Sequence, residues 1–260
     1  MALREDIGRG DMTANLLIPA DAKGEARVIA KANGIFCGER LVKEIFKIID
    51  PKVKLEFYVR DGEKLRYKKI VFKMHGSIRS ILKAERTMVN FLSHLSGVAT
   101  QTHLLVQRVK KYGTLILDTR KTTPLWRELE KFAVQVGGGR NHRHGLDEYI
   151  LIKENHRIYS DFKKLRRHAK QFEIEVRNLS ELKDAIALNP QVILLDNFTP
   201  KETKRAVKIV RKIAPDILLE SSGGICLETV RSFAAAGVDT ISVGSITHSP
   251  KAIDFSLLID

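Results

Sequence analysis

Cysteine is nearly absent from this 260-residue chain: Cys37 and Cys226 are its only two, far apart and in no metal-ligand spacing. That argues against a disulfide framework and against a cysteine-based zinc site, and it fits a reducing compartment. Aromatic residues make up only 7%, with a single tryptophan, which is sparse for the stacking platform of a nucleic-acid binder. No apolar run approaches the length needed to cross a bilayer. The first residues carry Arg4, Glu5, Asp6, Arg9 and Asp11, unlike a secretory leader, so a cytoplasmic location is expected. Internal repeats and low-complexity linkers are also missing. The glycine run Gly137-Gly138-Gly139 follows a predicted helix rather than a strand, so it is no dinucleotide fingerprint.

What is present is an ordinary soluble balance, with 43% apolar and 29% charged residues. The length suffices for one large domain or two modest ones. The net charge of +14 has two explanations: a field that attracts a polyanionic substrate or nucleic acid, or a lysine-rich solvated surface. Much of the excess sits in Lys163-Lys164-Leu165-Arg166-Arg167 and in residues 201–212. Without interleaved aromatics, these runs read as outer faces of helices. A basic nucleic-acid-binding protein is the alternative from another class, and it would show a clustered basic stripe.

The first hundred residues read as a small α+β unit. Ala26-Val28-Ala30 and Val53-Leu55-Phe57-Val59 alternate at period two, as half-buried strands do. Asp61-Gly62 supplies a turn, and Leu41, Ile45, Ile48 and Ile49 recur at helical spacing. A long helix is expected from about residue 79 through 95, broken at Ser96-Gly97. The rhythm then changes. Short apolar runs at 115–117, 149–152, 172–176, 192–195, 217–219 and 240–243 alternate with helical patterns at 127–136, 179–188, 201–213 and 227–236. Six strand-then-helix units in so short a span predict an α/β fold with a small parallel β/α barrel.

The ends of these strands are decorated. Leu117 runs into Asp118-Thr119-Arg120-Lys121, Ile152 into Lys153-Glu154-Asn155-His156, and Leu195 into Asp196-Asn197. The fifth strand ends in Glu220-Ser221-Ser222-Gly223-Gly224 and the sixth in Gly244-Ser245. Polar residues gathered at one end of a barrel mark the place where such folds build active sites. Along 172–176, Glu173 and Glu175 share the face opposite Phe172, Ile174 and Val176, so both carboxylates are expected to point inward. Buried carboxylates need a cation, a metal or a ligand's hydroxyls, and an internal ion pair with a lumen lysine or arginine would also serve. Asp196 is a ligand contact or the cap of the next helix.

Ser221-Ser222-Gly223-Gly224 and Val243-Gly244-Ser245-Ile246-Thr247 follow the last two strands, the usual barrel position for a phosphate. Their small residues let backbone N–H groups approach an anion. Arg120, Lys121, His142, Arg143 and Lys153 form a cationic set fit for a small di- or trianion. His142 and His144 lack further ligands for a zinc site.

At these residues the chain resembles the quinolinate phosphoribosyltransferase family over nearly its whole length. The resemblance is carried by Glu5 to Asp11, Ala84-Glu85-Arg86-Thr87 through Leu95-Ser96-Gly97, and Asp118-Thr119-Arg120-Lys121-Thr122-Thr123-Pro124. It continues through Gly137-Gly138-Gly139, Asn141-His142-Arg143, Lys153-Glu154-Asn155-His156, Glu173-Ile174-Glu175-Val176, Leu195-Asp196-Asn197 and Glu220 to Ile225. There are three departures. The chain begins close to the first motif, so the family's leading helix is expected to be short or absent. Leu125-Trp126 follows Pro124 where a glycine is common, and Glu154 stands where aspartate is frequent.

The resemblance implies an N-terminal α/β sandwich over residues 1–100, joined by the tail 251–260, and an incomplete, six-stranded or so, β/α barrel over 101–250. It implies a homodimer or higher oligomer that transfers phosphoribosyl from phosphoribosyl pyrophosphate to quinolinate with magnesium. The products would be nicotinate mononucleotide, pyrophosphate and CO2, in NAD synthesis, without nucleic-acid or membrane partners. Quinolinate would then contact Thr119, Arg120, His142, Arg143 and Lys153, with Arg86 supplied by the partner subunit. The donor would lie near Lys121, Glu175, Asp196, Ser222, Gly223, Gly224, Gly244, Ser245 and His248. Glu175, Asp196 and Lys121 would be catalytic, and magnesium would be held indirectly through Glu175 and Asp196. The pyrophosphorylase-like transferase of molybdate-transport operons and nicotinate phosphoribosyltransferase are the alternatives within the fold. The full set of Arg86, Arg120, His142, Arg143 and Lys153 favours quinolinate.

Overall fold

A computed structural model describes residues 1–158, 165 and 171–260. The basic run at 163–167 therefore lies, except for Leu165, outside the described residues. The chain divides into two compact units, Met1–Gln101 with Pro250–Asp260, and Thr102–Ser249. Among the described residues no helix is long and apolar enough to cross a membrane.

The first unit opens with helices α1 (Ala2–Ile7) and α2 (Met12–Leu17). There follow β1 (Lys23–Ala30), β2 (Gly34–Ile35), α3 (Glu39–Ile49), β3 (Lys54–Phe57), β4 (Lys64–Leu65), β5 (Ile70–Ser77) and α4 (Ile78–Val109), whose residues from Thr102 on belong to the second unit. Strand β12 (Phe255–Ile259) completes an antiparallel sheet in the order β12-β1-β5-β3. Ala26, Val28 and Ala30 are fully buried, as their alternation requires. The Asp61 carboxylate accepts from the N–H groups of Gly38 (2.7 Å) and Glu39 (3.1 Å), which ties the 61–62 turn to the start of α3. Val42, Ile45 and Phe46 form that helix's buried stripe, whereas Ile48 is 74% exposed.

Two features depart from the sequence reading. Strand β5 pairs with both β1 and β3, although Lys73 and His75 along it disguise a run that buries Val71, Phe72 and Met74. The long helix does not break at Ser96-Gly97; α4 is continuous for 32 residues. Ser96 is buried and accepts the Cys37 N–H at 3.1 Å. A Cβ on Gly97 would lie 2.5 Å from the Lys251 carbonyl oxygen. Both residues serve close approach of a distant backbone rather than termination.

The second unit runs β6 (Leu115–Leu117), α5 (Arg127–Val136), β7 (Leu151–Ile152), α6 (Glu154–Arg157), β8 (Glu173–Val176), α7 (Leu179–Leu188), β9 (Val192–Asp196), α8 (Pro200–Ile213), β10 (Leu218–Ser222), α9 (Val230–Ala236), β11 (Thr240–Ser242) and α10 (Ser245–His248). Its six strands are all parallel, in the order β6-β11-β10-β9-β8-β7. Among the described residues β6 and β7 are the outermost strands, with only an isolated bridge from Arg140 to Leu117 beside β6, so the barrel-like sheet is incomplete, as expected. Ile174, Val176, Ile193, Leu195, Leu219 and Ile241 are fully buried, and the alternate positions carry Glu173 and Glu175 on β8, Glu220 and Ser222 on β10, and Thr240 and Ser242 on β11.

Helix α8 shows why the lysine-rich stretch folds. Thr199 Oγ1 accepts from the Glu202 N–H, Glu202 accepts from the Thr199 N–H at 2.9 Å, and Pro200 occupies the first turn. Thr203, Ala206 and Val210 are its buried face, and its lysines lie exposed. The lysines of 201–212 thus form the outer face of a helix, as read from the sequence.

Candidate functional site

The C-terminal ends of all six parallel strands open into one cleft of about 760 Å³, where β/α barrels place their chemistry. Following the sheet order, β6 contributes Thr119, Arg120 and Lys121, and β11 contributes Gly244, Ser245 and His248. Next come Ser222, Gly223 and Gly224 after β10, Asp196 and Asn197 at β9, Glu175 on β8 and Lys153 after β7. His142 and Arg143 reach the cleft from the segment after α5. Every residue named for the barrel site from the sequence therefore lines this one cavity. Arg86 lies in the other unit, exposed on α4.

A buried ion pair secures the segment that carries His142 and Arg143. Lys131 Nζ meets Asp118 Oδ1 at 2.5 Å with both side chains inaccessible, and donates to the His142 carbonyl at 2.8 Å. The His142 N–H donates to the same Asp118 oxygen at 2.8 Å. Both buried charges thus gain partners, and breaking either would leave an uncompensated ion.

Beneath the cleft lies an acidic knot around the imidazole. His142 Nε2 stands 3.4 Å from Glu173 Oε2 and 3.6 Å from Glu220 Oε1, and all three groups are buried. The Arg143 N–H donates to His142 Nδ1 at 2.8 Å, which leaves the neutral ring's proton on Nε2, facing the carboxylates. Burial opposes charge on His142, but the hydrogen bond to Glu173 and the charges of Glu220 and Glu173 prevail and raise its pKa. Burial and the neighbouring Glu173 charge push Glu220 up to about 7. Glu173 Oε1 and Glu220 Oε1 have no hydrogen-bond partner.

The inward carboxylates meet different surroundings. Glu175 Oε2 accepts from Lys153 Nζ at 3.1 Å, so the internal ion pair considered from the sequence exists, yet Glu175 still lines the cleft. Asp196 is not the cap of the following helix, since Thr199 performs that task. Its Oδ2 accepts from Asn197 Nδ2 at 2.8 Å. Gly223 and Gly224 take φ of 95° and 60°, leaving a side-chain-free backbone facing the cleft. A Cβ on Gly244 would meet Lys121 Cδ at 3.1 Å and His248 Cδ2 at 3.3 Å, so this glycine lets both side chains cross it closely.

His142 and His144 do not share a site. His144 Nδ1 lies 3.1 Å from Glu128 instead. Sequence reasoning also missed Tyr149, read only as part of an apolar run, whose hydroxyl donates to Glu173 at 2.8 Å. Glu220 and Asn197 were quoted as strand ends without a role in the site, although both line the cleft. Leu125, in place of a glycine, adopts φ of 68° with its side chain 87% exposed.

Comparison with known proteins agrees with this architecture. Residues 98–258 match the family model for the quinolinate phosphoribosyl transferase C-terminal domain, and residues 11–96 match that for its N-terminal domain. The chain is 38% identical to a probable nicotinate-nucleotide pyrophosphorylase [carboxylating] of Bacillus subtilis, covering 97% of this chain and 89% of that protein. Identity is 39% to the protein of the same description in Methanocaldococcus jannaschii, covering 98% and 94%. The solved nicotinate-nucleotide pyrophosphorylase of Francisella tularensis is 40% identical, with a TM-score of 0.93 over 100% of this chain and 93% of that one.

Proposed function

Because this chain belongs to the quinolinate phosphoribosyltransferase family, we propose that its cleft joins quinolinate to phosphoribosyl pyrophosphate in NAD synthesis. The observation that carries this reading is one cavity that holds Arg120, His142, Arg143 and Lys153 together with Glu175, Asp196 and a glycine-rich backbone. The cations suit a pyridine dicarboxylate, for which arginine offers paired N–H donors. The glycine and serine loops after β10 and β11 suit the donor's phosphates. Thr119 and Ser245 add hydroxyls to these two groups, Lys121 adds positive charge, and His248 adds an imidazole.

In this reading the quinolinate ring nitrogen attacks the ribose carbon, and the bond from that carbon to pyrophosphate breaks. Positive charge grows on the ribose as pyrophosphate leaves, and the Glu175 and Asp196 carboxylates stabilise it. The adjacent carboxylate is then lost as CO2, its bonding electrons staying on the ring carbon beside the cationic nitrogen. A proton replaces it, giving nicotinate mononucleotide. No serine or cysteine nucleophile is needed, and the residues act by positioning and charge complementarity.

Glu175 and Asp196 offer the hard oxygen donors that magnesium prefers, and each has one oxygen not engaged by Lys153 or Asn197. These two residues would hold the ion through water, where it would neutralise departing pyrophosphate charge. The protein is further taken to be cytoplasmic and to act as a homodimer or higher oligomer, each subunit receiving Arg86 from its partner.

The deciding assay offers quinolinate and nicotinate separately with donor and magnesium, and measures mononucleotide and CO2. Turnover of quinolinate with stoichiometric CO2 is expected. Turnover of nicotinate alone would replace this reading with a nicotinate-specific transferase.

A further inference from the structure

Tyr149 does not line the cleft, yet it touches both His142 and Arg143, the two cleft side chains that arise from the segment after α5. Its ring stacks on the His142 imidazole with centroids 5.6 Å apart and planes inclined by 26°. The Arg143 guanidinium carbon lies 5.8 Å from the centroid of the same ring, within range of a cation–π attraction. The Tyr149 carbonyl accepts from Arg143 Nη1 at 3.1 Å. The Tyr149 hydroxyl donates to Glu173 Oε2 at 2.8 Å and lies 2.9 Å from His142 Nδ1. One residue thus engages both side chains and the carboxylate behind them.

We propose that Tyr149 is a positioning residue that aims His142 and Arg143 at the pyridine dicarboxylate and so sets affinity for that substrate. The inference rests on the reading that this cleft binds quinolinate.

The chemistry of Glu173 shows why a hydroxyl is needed at this place. Glu173 is 2% exposed, and its Oε1 has no hydrogen-bond partner. The tyrosine hydroxyl satisfies its other oxygen. The hydroxyl also lies 3.1 Å from His142 Nε2, and without it the existing 3.4 Å contact between Nε2 and Glu173 Oε2 would be free to shorten. The imidazole would then be drawn toward Glu173 and away from the cleft. Removing the ring as well would release Arg143, whose guanidinium would keep only the backbone carbonyl. Two graded losses follow. Phenylalanine retains the stacking and the carbonyl and loses the hydroxyl; alanine loses both side-chain functions.

The test compares wild type, Tyr149→Phe and Tyr149→Ala as full-length protein, with KM determined separately for quinolinate and for phosphoribosyl pyrophosphate, quinolinate binding measured by titration, and melting temperature recorded. The quinolinate KM should rise roughly three- to ten-fold in the phenylalanine variant, the range of one lost hydrogen bond. It should rise about 30-fold or more in the alanine variant, where the ring contacts are also lost. The donor KM should change by less than about two-fold, because Tyr149 touches no residue assigned to the phosphates. If alanine prevents folding, the phenylalanine variant decides alone. An unchanged quinolinate KM in a folded phenylalanine variant, or equal rises for both substrates, would overturn the inference while leaving the functional reading intact. Failure of wild type to bind or convert quinolinate would overturn that reading, and this inference with it.

Discussion

Asn197 and Gly223 meet across adjacent strand ends so closely that a Cβ on Gly223 would stand 2.6 Å from Asn197 Cγ and 2.9 Å from its backbone nitrogen. Asn197 itself takes a left-handed φ of 57°, and its N–H donates to the Ser222 carbonyl at 2.9 Å. The same side chain donates to Asp196 Oδ2. One contact therefore couples the glycine loop after β10 to the orientation of an inward carboxylate at β9. Gly223→Ala faces both a positive φ and a backbone obstacle. It is expected to lose about 1–3 kcal/mol of stability and to weaken donor binding more than quinolinate binding. Denaturant unfolding and titration with each substrate check this. A variant with wild-type stability and donor affinity would show that the approach is dispensable.

Leu125 presents the opposite case, a side chain where the backbone suits glycine. Its φ of 68° costs a leucine about 1–2 kcal/mol, and at 87% exposure the side chain recovers little by burial. Glycine would relieve the strain but lose about 0.5–1 kcal/mol to unfolded-state entropy. Leu125→Gly should therefore be neutral or stabilising by up to about 1.5 kcal/mol, whereas Leu125→Val should be destabilising. Urea midpoints of the two variants moving in the same direction would contradict the argument.

The pKa of Glu220 makes stability depend on pH. An unfolded glutamate titrates near 4.5, and in the fold this carboxyl is pushed up to about 7. Between those values the native protein holds a proton that the unfolded chain releases, so this contribution is full at low pH and lost as pH rises through the window. The raised pKa of His142 acts in the same sense, stabilising below its unfolded value and fading as pH rises through the folded one. Glu220→Gln fixes the neutral form. Between about pH 5 and pH 8 the wild-type melting temperature should fall relative to that of the variant. A constant difference across the range would mean that Glu220 ionises in the fold without penalty.

Much of this architecture was legible because its signals are local. The runs at 115–117 and 192–195 are apolar, short and followed by polar residues, and β6 and β9 occupy them. Glu173 and Glu175 could be placed inward from alternation alone. The failures have non-local causes. Ser96 and Gly97 look like a helix break until Cys37 and Lys251 are brought beside them. Strand β5 is held on both sides by partners that its own sequence does not reveal. Tyr149 acts through Glu173, 24 residues away, and no spacing rule links the two.

Glu175 separates charge from structure within the site. It is 8% exposed, and its partner Lys153 is about half exposed, with 48% of its side chain accessible. Loss of that pair should therefore move the melting temperature by less than about 3 °C. Under the proposed mechanism, Glu175→Gln keeps the shape but removes a charge facing the ribose carbon. Turnover should fall by about 100- to 1000-fold. A variant with full turnover and a lowered melting temperature would assign Glu175 to the ion pair alone.

Arg86 tests the proposed exchange between subunits. It is exposed on α4, in the unit that does not contain the cleft. If each subunit lends this arginine to its partner, two inactive variants should complement each other. In a mixed dimer of Arg86→Ala and Glu175→Ala, the barrel with intact Glu175 belongs to the Arg86→Ala subunit and receives a good Arg86 from its partner. The other barrel carries both defects. Random reassortment makes about half of the dimers mixed, each with one working site of two, so activity should return to about a quarter of wild type. The variants are unfolded and refolded together, with each refolded alone as control, and mixed dimers are verified by a size tag on one variant. Recovery to that level would place Arg86 in the partner's site. No recovery with verified mixed dimers would mean that Arg86 serves its own subunit or does not act at the site.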